Sequence, residues 1–213
     1  PYVMDFNLSS VEVWAGSGKK LSGGLVEATE NAVVMENRLL AMAIATQFND
    51  GQLSGSTKGK PVDMAVSGLN DGIDWINLPC MSQARPQGTE AWQVTTVQNH
   101  TVEILEVSDT QARVRTSGIY TEVEGVTVET IYTIKPDEPW VLADTRITNN
   151  TGSSQSMWVG DVIDNDEGGQ VSYVPGTGPV TAAYANPAEY VPSEPWIAQS
   201  GASPQCYGLI YMG

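Results

Sequence analysis

The stretch Val126 to Asn150, VTVETIYTIKPDEPWVLADTRITNN, alternates with a period of two. Val126, Val128, Thr130, Tyr132 and Ile134 fall on one face of a first strand, and Thr127, Glu129, Ile131 and Thr133 on the other. In a second strand Val141, Ala143, Thr145 and Ile147 share a face, while Asp144, Arg146 and Thr148 point away. β-branched residues in this alternation define half-buried antiparallel strands. Between them Lys135-Pro136-Asp137-Glu138-Pro139 predicts a surface turn, because proline cannot donate to a ladder.

The same reading along the chain predicts many short strands. Val11–Trp14 opens the series and runs into a Gly, Ser and Lys loop. The apolar tract Asn31 to Gln47 contains RLLAMAIATQ, whose Leu, Ala and Met also suit a helix. A strand is preferred, because Asn37 ahead of Arg38 marks a turn and Asn49-Asp50-Gly51 closes the segment as a hairpin does. A second Asn-Asp-Gly, at residues 70–72, separates strands at 62–66 and 73–76, and a polar loop follows over 83–90. Strands are expected at 93–98, 101–107 and 112–121, with turns near Asn99-His100 and Ser108-Asp109, and again at 155–163. Beyond Gly168-Gly169 the chain becomes rich in Gly and Pro but keeps aromatic anchors, and it ends in a strand at 206–211. Short strands at this spacing predict an all-β protein, an antiparallel β-sandwich with a loop-rich part over 170–213. The strands are too closely spaced for βαβ units. One domain over 1–213 fits the length. Pro1 is not an initiator residue, and the last segment is a strand, so a processed chain or a piece of a longer one that continues past Gly213 is expected.

Charge narrows the partners. The net charge is −15 with 25 acidic against 10 basic residues, and no Lys, Arg or His follows Arg146. That balance argues against nucleic acid and anionic membranes, and no apolar run is long enough to span a bilayer. Two cysteines, Cys80 and Cys206, suit one long-range disulfide in an oxidising compartment, with an upper value of about 4–5 kcal/mol; two buried thiols are the alternative. Sequons begin at Asn7, Asn99 and Asn149. The composition points to a secreted or extracellular setting, the cell surface included.

Several residues carry candidate chemistry. Asp161, Asp164, Asp166 and Glu167 supply the hard oxygens that calcium takes, with Gly168 to turn the chain, although the 12-residue EF-hand pattern is missing. A solvated, self-repelling turn has the same composition. Trp158, Tyr173, Tyr184, Tyr190 and Trp196 lie in the loop-rich part, where aromatic rings stack on sugars or else anchor loops. Asp161 and Glu194 are one of many carboxylate pairs that a glycosidase would use. The single histidine, His100, excludes a His-rich zinc site and leaves a Ser-His-Asp triad without support.

Glu36-Asn37-Arg38-Leu39 before an apolar strand and Gly51, with Tyr132-Thr133-Ile134-Lys135-Pro136 and Asp144-Thr145-Arg146-Ile147-Thr148-Asn149, resembles the opening hairpin and central strand pair of galactose-mutarotase-like super-sandwich domains. Gly160-Asp161-Val162-Ile163 with Pro175-Gly176-Thr177-Gly178 resembles β-domains that precede metallohydrolase modules in exported bacterial proteins. The resemblance covers residues 31–175. It implies a module beside a catalytic domain of a secreted carbohydrate-active enzyme. Mutarotases use several histidines and a glutamate, so with one histidine no catalytic residue is carried over. Three functions follow: a non-catalytic module associated with carbohydrate binding or processing, with glycan or a catalytic domain on the same chain as partner; an extracellular structural or adhesive protein, self-associating and calcium-stabilised; and a carboxylate-based glycan-active enzyme.

Overall fold

The computed structural model describes residues 11–15, 21, 28, 31–47, 57–67, 69, 73, 75–83, 96–164, 171–180, 193–200 and 206–212. Among these the chain is all-β, with strands in several antiparallel sheets packed together and no helix.

The first sheet has the order β1(Glu12–Ala15), β2(Val33–Glu36), β3(Leu40–Ile44), β4(Pro61–Val66). Its inner strands are buried on both faces. Met35, Leu40, Met42 and Ile44 pack against the second large sheet. Val34, Ala43, Ala45 and Val62 pack with Ala28 and Ala32 on the other side. That double burial is why the tract reads as continuously apolar rather than alternating, and why it imitates a helix in sequence. The turn at Asn37 is where the sequence places it.

The second large sheet is a meander of consecutive strands, β6(Val97–Val107), β7(Ala112–Tyr120), β8(Val126–Ile134) and β9(Leu142–Asn149). In β8 burial alternates along the strand, with Val126, Val128, Thr130, Tyr132 and Ile134 inside, as the pattern requires. Ala112, Val114, Tyr132 and Ile134 close the sandwich core over Met35 and Met42. The outer face carries a cross-strand ladder. Arg115 meets Glu103 at 2.5 Å and Glu129 at 3.7 Å, and the Thr101 and Ser117 hydroxyls lie 2.6 Å apart.

One expectation is corrected here. Asn99-His100 is no turn between two strands: β6 runs through it, and His100 is the extra residue of a bulge between Asn99 and Thr101. The bulge turns His100 outward and buries Asn99. The sequon at Asn99 is therefore closed in the folded chain, whereas Asn149 is exposed at the end of β9. The segments 49–51 and 70–72 lie outside the described residues.

Asn37 joins the two sheets. Its Nδ2 donates to the carbonyls of Lys135 (2.6 Å) and Glu138 (2.9 Å), 98 and 101 residues away. Its Oδ1 accepts from the Leu39 and Leu40 amides, both at 2.8 Å. All four hydrogen-bonding positions of the amide are thereby used.

The remaining strands form two smaller sheets. β5(Trp75–Ser82) pairs with β10(Trp158–Asp164). β11(Val171–Val174), β12(Gly178–Val180), β13(Trp196–Ser200) and β14(Cys206–Ile210) form a sheet in the order β12-β11-β13-β14. That sheet docks on β5 through Tyr207, which packs with Ile73 and Ile76 and donates its hydroxyl to the Met64 carbonyl at 3.1 Å.

Candidate functional site

The small sheet β11–β14 has one covered and one open face. Cross-strand partners share a face, and faces alternate along each strand. Val174, Ile197, Tyr207 and Leu209 belong to the covered face, where Val174 and Tyr207 are buried. Tyr173 stands opposite Ala198, and Ala198 opposite Gly208. Trp196, two residues before Ala198, therefore shares the open face with Tyr173 as its diagonal neighbour, a spacing of about 7–8 Å. Pro179, opposite Tyr173, and Ile210, opposite Trp196, extend the same face. Both rings are accessible, Tyr173 and Trp196 each at 39%. Beside them the same face is low at Ala198, next to both rings, and at Gly208 on the following strand, which have little or no side chain. A Cβ at Gly208 would come within 2.7 Å of the Ile197 carbonyl oxygen. Two exposed rings over a shallow floor are what a sugar ring needs in order to stack.

Of the other aromatic candidates, Trp158 is 52% exposed, but it stands at the start of β10, on a different sheet. Tyr184 and Tyr190 lie outside the described residues. Trp140, exposed in the turn between β8 and β9, was not singled out by sequence. It borders an apolar cleft of about 190 Å³ with Val141, Leu209 and Tyr132. Its position after Pro139 gave no periodic signal.

Asp161 is in the middle of β10 and Asp164 at its end, whereas Asp166 and Glu167 lie outside the described residues. No group of three metal-ligating side chains occurs among the described residues. Asp161 is mostly buried. Desolvation raises its carboxyl to about 6, against a smaller lowering from the Tyr211 hydroxyl that hydrogen-bonds to it. Burial, with the Asp161 charge adding to it, pushes the Tyr132 and Tyr211 hydroxyls up as well. The groups that act on Asp161, or on which it acts, are thus phenols and the Cys80 thiol. Glu194 sits in the turn before β13, where its carbonyl accepts from the Trp196 amide.

A pH effect follows. The Asp161 carboxyl binds its proton more tightly in the folded chain than in the unfolded one. Its contribution to stability therefore falls as pH rises from about 4 to about 6 and is level above that. Asp161→Asn should flatten this part of the stability profile, read by urea denaturation at pH 4, 5, 6 and 7. An unchanged slope would assign the effect to another group.

Cys80 and Cys206 are both free thiols in the structure, and the expected disulfide is not formed. Cys80 is half-buried in β5 opposite Gly160, and Cys206 opens β14 opposite Ser200, exposed.

Fold and surface together define an all-β sandwich protein with two exposed aromatic rings on the open face of β11–β14. No family model, curated protein or solved structure matches the chain.

Proposed function

We propose that the chain is a non-catalytic β-sandwich module of a secreted or cell-surface protein, and that it holds glycan on the open face of β11–β14. The observation that carries this reading is the placement of Tyr173 and Trp196 as exposed diagonal neighbours on a face that is low at Ala198 and Gly208. The opposite face of the sheet is occupied by core packing around Tyr207, so the rings are not needed to anchor it. The net charge of −15 favours neutral or basic sugars over polyanions. The resemblance to super-sandwich domains supports a place beside a catalytic domain.

The test is binding to a panel of insoluble neutral polysaccharides and chitosan, with Tyr173→Ala and Trp196→Ala alongside the parent chain. Each substitution should weaken retention about tenfold, equivalent to about 1.4 kcal/mol of lost stacking. Trp158→Ala, on another sheet, should leave retention unchanged. Binding indifferent to both platform substitutions, or absent across the panel, would remove the proposal.

A further inference from the structure

All four sheets contribute to the apolar cleft beside Trp140. Met42 of β3, Ile76 of β5, Tyr132 of β8 and Leu209 of β14 each line it. Core side chains set its depth, since Met42, Ile73 and Tyr132 are 2% exposed or less. Exposed members of the lining mark its mouth, Trp140 at 55% and Cys206. Ala143 of β9, beside the same core, contributes only a methyl group. No residue of the lining carries a charge, in a chain with 25 acidic and 10 basic residues. Tyr207 already donates its hydroxyl to the Met64 carbonyl, and burial holds the Tyr132 phenol in its uncharged form.

We propose that this cleft is a binding site for a small, uncharged, apolar ligand that carries one aromatic ring or a hydrocarbon group of that size. Volume sets the size. The cleft measures about 190 Å³, and an apolar cavity of about 150 Å³ already takes up benzene. The lining sets the chemistry, because an ion would give up its hydration and meet no opposite charge. A peptide segment is excluded by the same lining, which would leave its backbone amides and carbonyls without partners. The Trp140 ring at the mouth supplies a face against which the ligand packs. The site is separate from Tyr173 and Trp196, which stand on the opposite face of β11–β14 from Leu209.

Toluene is the probe, and benzoate, the same ring with a charge, is its control. With free toluene at about five times its dissociation constant, the thermal unfolding midpoint should rise by about 2–4 °C. Calorimetry should count one toluene per chain, and benzoate should give no shift. Ala143→Leu, which fills the cleft, should abolish the response. Trp140→Ala removes an exposed side chain that the core does not need, and it should weaken toluene affinity about fivefold. Tyr173→Ala should leave that affinity unchanged. A parent chain indifferent to toluene would overturn the proposal. So would an equal response to benzoate, or parent-like binding by both Ala143→Leu and Trp140→Ala, since toluene would then sit elsewhere. A dimer that toluene converts to monomers, read by sedimentation, would also overturn it, because the cleft would then hold an apolar side chain of a second copy.

Discussion

Gly118→Ala should destabilise the chain by about 3 kcal/mol or more, enough to prevent folding in a domain of ordinary stability. Gly118 stands on β7 opposite Asn99, at the bulge that carries His100. A Cβ there would lie 1.9 Å from the Gln98 carbonyl oxygen and 2.5 Å from the Asn99 Cα. Both atoms are backbone, so no rotamer change relieves the overlap. The two strands must separate or slip, and a slip by one residue would turn the β7 core residues Val114 and Tyr120 outward. Gly160→Ala is the matching control, because nothing lies within 4 Å of its added Cβ, and it should change stability by less than about 0.5 kcal/mol. Urea denaturation of both variants reads the difference. Near-equal midpoints would mean that β6 and β7 pair in another register.

Asn37→Ala should cost about 3–5 kcal/mol. The substitution removes no apolar packing to speak of. It strands the Leu39 and Leu40 amides and the Lys135 and Glu138 carbonyls, in a place where water has little access. Asn37→Asp separates the two halves of the effect. The carboxylate still accepts from the two amides but repels the two carbonyls, so at neutral pH it should be destabilised nearly as far and recover part of the loss in acid. The neighbouring Arg38–Asp137 pair, at 2.7 Å, spans the same junction with both side chains well exposed. Arg38→Ala should therefore cost less than about 1 kcal/mol. If Arg38→Ala and Asn37→Ala proved equal, the junction would be held by charge rather than by the amide.

The legible parts of this fold are those set by local chemistry. Alternation in Val126–Ile134 read directly into burial, because that strand has one face on the core and one in solvent. Asn37 was visible as a turn residue, but its reach to Lys135 and Glu138 was not, since that depends on how two sheets meet. Asn99-His100 reads as a turn in sequence because a bulge uses the same polar residues; what distinguishes the two is the pairing with Gly118 on the next strand. The aromatic candidates Tyr173 and Trp196 could be named from composition. Their common face depends on the register of β11 against β13, which no periodicity within either strand specifies.

The pairing of β5 with β10 sets an order of assembly. Cys80 meets Gly160 across a separation of 80 residues, and the whole β6–β9 meander lies between them. Neighbouring strands of the meander close by short loops, so that sheet forms without a large entropic barrier. β5 has no such neighbour to wait on. During synthesis at about 5–20 residues per second, it spends several seconds with its ladder groups open before β10 exists. In that interval the edge of β5 is the place where the nascent chain is most exposed to pairing with the wrong strand.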